Sequence, residues 1–514
     1  MTRLFADWTA PLGVTGLRAD PSGVLDTSTV FQATLFPGMS TVTLRLRYIS
    51  LIAAARYYRV RAGEAVESKL PLLEHLRRLE ALIAVCTVLH HQDEGFVPTG
   101  IIGRDAAMDM SQQPEIVLRT GLKRHPYNIY RGTLAALDIL NTSRSSDSFY
   151  DGAQPLAKAW DPSPAGPLGE HICNGILPER LPRYLVEAAA PAFCLCTVPD
   201  GSLEQAELIR RLFILDRAPG GQLSLNEQER STSWRFVLEL VRYSPGEQLV
   251  GERLMIRLLR PDLLSLSFPP VLHRCLFLWR WVAARTFFER GWTQLFRRTL
   301  QILRGTSNGL TREDLRSEMK RSYLASSPAE QLSALVDEAY ASCDSPTWLN
   351  ARFSSSQPRD ILLSLLAGLI CAQRDLERAG VKDLEALWSG GNISLRAQLE
   401  RLERGISDGE AAHVLWGVLA EESLIQHIRI SLRKMGAGNP DSLLIDFDTG
   451  RWSVPSKAVR AIDSGLGIAD GSSRLDVALG WAKQLNLIQA QEHAYMLTPR
   501  GEECRQRWDK EYGS

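Results

Sequence analysis

The chain is poor in the features that assign a function at sight. Cysteine is sparse, eight in 514 residues, which excludes a disulfide-framed secreted scaffold. Cys86, Cys275 and Cys371 lie in apolar runs, where a reduced thiol acts as a small hydrophobe. Neither sign of charge is in excess, because 59 Lys and Arg balance 59 Asp and Glu. A generally basic nucleic-acid coat and an acidic disordered protein are thereby excluded, and an electrostatic partner has to meet a local patch. No stretch of about 18 apolar residues is free of charge, so no membrane span is expected. Residues Met1–Trp8 lack the apolar core of a secretory signal, and a cytoplasmic location is expected. No nucleophile elbow, His-Glu-x-x-His or phosphate-binding Gly-Lys-Ser/Thr loop is read in the chain, so neither a catalytic residue nor a cofactor is expected.

What is present is a globular composition, 45% hydrophobic and 8% aromatic, in a length that suggests roughly three domains. The expected fold class is mainly α, with multi-helical N-terminal and middle regions and a C-terminal winged-helix (α+β) domain. Residues 1–45, rich in Pro, Gly, Thr and Asp, read as the irregular arm of an N-terminal helical domain over 1–141. Apolar residues recur on every helical turn over 42–58, after a Pro37-Gly38 turn with Ser40 or Thr41 as the cap, and again over 70–89. Prolines and small polar residues mark 142–170 as an extended linker. A central helical domain over 171–350 and a helical region over 351–439 follow, with helical patterns at 182–190, 203–215, 226–243, 251–259, 271–303, 359–379, 394–404 and 409–434. Over 440–514, helical patterns at 457–464 and 474–485 precede two short apolar strands about a polar turn, then Leu497-Thr498-Pro499-Arg500-Gly501. That order is the layout of a winged helix.

Three motifs and a fainter one carry a family resemblance: Leu35-Phe36-Pro37-Gly38-Met39-Ser40-Thr41, Arg45-x-Arg47-Tyr48, Gly100-Ile101-Ile102-Gly103-Arg104, and Asn128-Ile129-Tyr130-Arg131-Gly132-Thr133-Leu134. Over about residues 25–140 the chain resembles an uncharacterised bacterial domain-of-unknown-function family from phage-defence gene clusters. Around Tyr130 it departs from that family's usual Pro-Ser and Trp-bearing segment. Members are encoded beside helicases and phospholipase D-type nucleases, so the resemblance implies an accessory subunit of a defence complex with those proteins as partners. It transfers no catalytic residue.

The densest charge falls over 274–304, where Arg274, Arg280, Arg285, Arg290, Arg297, Arg298 and Arg304 stand against Glu289 alone. Arginines interleaved with Phe and Trp suit phosphate contact and base stacking, and equally a core helix whose arginines pair with acids of its neighbours. Aromatics are expected inside. Some of Arg280, Arg285, Arg290, Arg297 and Arg298 are expected to face solvent and meet nucleic acid or an acidic partner, because unpaired charges are costly to bury. Arg474 and Lys483 on the expected recognition helix, and Arg104 in the glycine-flanked loop, complete the candidate contacts. Within 451–514 nine basic residues face eight acidic ones, so docking on protein stays as open as DNA binding for this module.

Metal-ligand types occur in three places. His90-His91-Gln92-Asp93-Glu94 reads as a hydrated helix terminus, since adjacent histidines on a helix point about 100° apart and do not readily share an ion. His171-x-Cys173 and Cys194-x-Cys196 are two soft-ligand pairs with a spacing narrower than that of ordinary zinc knuckles. No metal is assigned, and His171, Cys173, Cys194 and Cys196 remain the candidates. The expected function is a non-enzymatic subunit of a multi-protein anti-phage complex that helps to engage DNA or to dock helicase and nuclease partners. The alternatives are a metal-dependent enzyme with a dispersed site, drawing on His90, His91, Asp93 and the two pairs, and a stand-alone winged-helix transcription regulator.

Overall fold

The computed structural model describes residues 31–63, 72–118, 125–141, 148–149, 153–216, 223–353, 355–379, 395, 397–398, 400, 411–436, 444–455, 473–491 and 494–512. They are mainly helical, and the strands among them form four two-stranded antiparallel pairs. Two compact units emerge, one from Phe31–Leu254, Asp262–Leu276 and Ser472–Ser514, the other from Met255–Pro261 and Phe277–Gly471. The expected boundaries at 141, 170, 350 and 439 do not coincide with them. Residues 473–512 belong with the N-terminal half of the chain because they bury their apolar face in its core.

In the first unit the opening helix runs over Arg47–Gly63 rather than from Val42. Residues 40–46 are spent on a turn. The Thr43 hydroxyl accepts from the Ser40 amide at 3.1 Å and donates to the Ser40 carbonyl at 2.8 Å, so neither Ser40 nor Thr41 caps the helix. The helix Leu72–His90 is buried almost continuously from Leu79 to Leu89. It lies against the helix Arg183–Phe193, where the Cys86 thiol approaches the Val186 carbonyl at 3.8 Å and the Leu195 amide donates to the Thr87 hydroxyl at 3.1 Å.

The expected linker is not extended where it is described. Ala153–Ala159 and Pro167–Cys173 are helices, and Leu156, Trp160 and Leu168 are buried. The prolines bend a chain that then packs on itself. A Cβ on Gly169 would lie 2.0 Å from the Pro162 carbonyl, so only glycine permits that approach. The Trp160 ring stacks on Phe193 at 5.7 Å.

Leu203–Phe213 and Leu225–Arg242 start on Ser202 and Ser224 caps, the second with a full capping box closed by Glu227. Trp234 of the latter meets Phe36, Phe213 and Trp481. Trp481 belongs to the helix Arg474–Gln484, which is followed by the hairpin Ile488–Gln491/Ala494–Leu497 and the helix Pro499–Tyr512.

The second unit is built on residues 277–304 of the long helix Pro270–Arg304 and on the helix Pro358–Ala379. The two cross closely. A Cβ on Gly368 would sit 2.6 Å from the Ala284 carbonyl and 2.7 Å from the Phe288 amide nitrogen. The helix Arg312–Leu324 packs on Ala411–Gly436, where Arg312 and Arg316 both reach Glu421. Residues 1–30 of the expected arm, the helix expected at 457–464 and most of that at 394–404 lie outside the described residues.

Candidate functional site

The long helix places its aromatics inside, with Trp279, Trp281, Phe287, Phe288, Trp292 and Phe296 buried. It does not present its central arginines to solvent. Arg280 grips Asp375 with two bonds, Nε to Oδ2 at 2.8 Å and Nη2 to Oδ1 at 3.0 Å. Its Nη1 donates to the Leu258 and Arg260 carbonyls at 2.6 and 2.8 Å. Arg285 is buried over the Trp281 ring and bonds Glu289 at 2.8 Å.

Of the five arginines of which some are expected to face solvent, Arg280 and Arg285 are therefore excluded by their burial. Their compensation comes from Asp375 on another helix and from a residue one turn along the same helix. Arg290 stacks on Phe353 at 4.4 Å, and Arg298 donates to Ser322 at 3.0 Å. Both are half-buried, as is Arg297. Burial, with Arg290 as a like-charged neighbour, lowers the Arg297 guanidinium pKa.

The helix expected to recognise DNA is also turned inward. Leu475, Val477, Ala478, Leu479, Trp481, Ala482 and Gln484 of Arg474–Gln484 are buried. Trp481 Nε1 donates to the Thr43 carbonyl at 2.7 Å, and Gln484 bonds both the Leu46 amide and the Leu44 carbonyl at 2.9 Å. Arg474 donates to the Phe36 carbonyl at 3.1 Å. Lys483 is exposed, and so is Arg104, which opens the helix Arg104–Ser111 behind Gly103. These candidates are not gathered into one surface by any contact among the described residues.

A different set of side chains does converge. His90 ends its helix, and His91 begins the tight turn Gln92–Glu94, so the two imidazoles leave the regular helical progression. Their ring centroids come within 4.8 Å, and one ligand atom each of His90, His91 and Cys194 lies within 4.8 Å of the others. The expectation that neighbouring histidines diverge is corrected here, because it holds within a helix and not at its end.

His91 Nδ1 is 2.6 Å from Glu94 Oε2, and its Nε2 is 3.3 Å from Cys194 Sγ. With Nδ1–H given to the carboxylate, Nε2 is left facing the sulfur. The Cys196 amide also donates to that sulfur at 3.4 Å. The Cys194 thiol is held well below its ordinary value, first by the Cys196 thiol; burial opposes this, and His90, the Cys196 amide and His91 add to it. Cys196 is pushed up by the same bond and by burial. His91 lies above its usual value, since burial pulls it down but the bonds to Glu94 and Cys194 outweigh that.

No protein-family model, curated protein or solved structure matches the chain.

Of the four metal candidates, the cluster takes Cys194, with Cys196 beside it, and leaves out His171 and Cys173 on the helix Pro167–Cys173. His90 and His91 take their place, with Glu94 behind His91. Both the His-His and the Cys-x-Cys signals are visible in the sequence, but about a hundred residues separate them and no spacing rule joins them. Packing of Leu72–His90 on Arg183–Phe193 does so, since both helices end at the cluster. The pentapeptide Gly305-Thr306-Ser307-Asn308-Gly309 has the Gly-x-Ser-x-Gly spacing, contrary to the expectation that no nucleophile elbow is written in the chain. It follows the end of the long helix rather than a strand, so the strand-turn-helix that exposes a nucleophile is missing there.

Proposed function

We propose that the chain is a non-enzymatic subunit of a multi-protein bacterial anti-phage assembly that supplies docking surface for helicase and nuclease partners. DNA is engaged by the assembly rather than by this chain's arginine helix. The family resemblance over residues 25–140 supports the defence setting. The docking role rests on one observation: Arg280, Arg285 and Arg474, picked out by sequence to meet DNA, are given to internal acceptors, above all Arg280 to Asp375. The C-terminal helix, hairpin and helix are proposed to be a winged-helix derivative whose first helix has become core. Its hairpin keeps Gln489, Ala490, Gln491 and Met496 exposed, an uncharged edge better suited to protein than to phosphate.

Co-expression with the proteins encoded beside it tests this reading. The chain is expected to copurify with them and, alone, to show no nuclease, ATPase or hydrolase activity. Robust catalysis by the lone chain, or salt-sensitive DNA binding lost on substituting Arg297 and Arg298, contradicts it.

A further inference from the structure

We infer that His90, His91, Cys194 and Cys196 form a zinc site that ties the end of the helix Leu72–His90 to the chain leaving the helix Arg183–Phe193. Zinc binds imidazole nitrogen at about 2.0–2.1 Å and thiolate sulfur at about 2.3 Å, so two such ligands at the tetrahedral angle stand about 3.6 Å apart. The 3.3 Å between His91 Nε2 and Cys194 Sγ is already close to that separation. His90 offers a third donor within 4.8 Å, and the Cys196 thiol, two residues on and outside that cluster, turns in to supply the fourth. Glu94 on His91 Nδ1 is the outer partner that fixes a metal-bound imidazole, holding the opposite nitrogen toward the ion.

The same atoms could be read as a cysteine nucleophile with His91 as its base and Glu94 behind it. Three observations favour the cation. Two helices, Leu72–His90 and Arg183–Phe193, end at the cluster, and the negative ends of their dipoles favour a positive ion there and oppose a lone thiolate. The Leu195 amide, next to the sulfur and a natural oxyanion donor, is already given to Thr87. Cys194 is also only 3% exposed, which suits a ligand and hinders attack on a substrate. With Zn²⁺ bound both cysteines are thiolates, and their two charges cancel that of the ion.

The full chain, stripped of metal and titrated with Co²⁺ and then Zn²⁺, tests the site. The wild type is expected to show a thiolate-to-cobalt charge-transfer band that Zn²⁺ displaces, and Cys194→Ser to lose it. His90 is exposed, so His90→Gln keeps the fold and is expected to weaken Zn²⁺ binding by at least about tenfold. Glu94→Gln is expected to weaken it about 10–100-fold. The double change His171→Ala and Cys173→Ser leaves both readouts unaltered. Absence of the band in the wild type, Zn²⁺ affinity undiminished in His90→Gln, or rapid iodoacetamide labelling of Cys194 under saturating Zn²⁺ overturns the assignment. The last of these would assign the thiolate–imidazole pair instead.

Discussion

The long helix Pro270–Arg304 and the turn after His90 treat their polar side chains in opposite ways. On the helix, seven arginines face one acid in sequence, yet Arg280 and Arg285 are neutralised by Asp375, Glu289 and backbone carbonyls. At the turn, an unremarkable His-His pair meets a cysteine from far along the chain, and several donors crowd one sulfur. A local excess of one charge therefore says little about exposure, because its compensation is non-local. Convergence of soft donors from separate segments says much more, because packing alone seldom requires it.

The sharpest break of this contrast is Arg280→Ala. It leaves Asp375 buried without its partner, and the expected loss is about 3–5 kcal/mol, read as a lower urea midpoint with an unchanged slope. Burial raises the Asp375 carboxyl pKa despite Arg280, so this pair is held in a costly environment and losing one side is felt in full.

His75 sharpens the comparison from another side, since it is buried with neither ring nitrogen hydrogen-bonded. Burial, then Arg59 and Arg78, lowers it from 6.5 to about 4. The unfolded chain binds this proton at the higher pH, so stability is full above about 6.5 and is lost as pH falls toward 4. The expected loss across that window is on the order of 3 kcal/mol, and His75→Leu removes it from a series of urea midpoints against pH.

Trp481→Phe comes next. It strips the Thr43 carbonyl of its buried donor and is expected to cost about 1–3 kcal/mol, measured by thermal or urea unfolding. The smallest effect belongs to Arg297→Ala with Arg298→Ala. Both residues are half-buried at the edge of the long helix, and DNA retention on a filter is expected to change by no more than about twofold.

Much of the helical framework is legible in residue periodicity. Ser202 and the Ser224–Glu227 box start their helices where pattern places them, and the long helix matches its expected span within a residue at each end. The first helix starts late because Thr43, Leu44 and Leu46 give backbone groups to Trp481 and Gln484, partners more than 400 positions away. The described residues 153–170 read as linker because prolines mask two short helices, and Trp160 and Leu168 fill the core. The site is legible only as fragments. His90-His91 and Cys194-x-Cys196 each stand out, but what joins them is the packing of Cys86 and Thr87 against the helix and loop around Val186 and Leu195.

Native mass spectrometry of the full chain, purified with zinc present and without chelator, is the most direct measurement of that junction. The predicted mass is the chain plus one zinc, with a proton lost from each of Cys194 and Cys196, and the zinc is missing or sharply depleted in His90→Gln. A wild-type mass equal to that of the metal-free chain would contradict it.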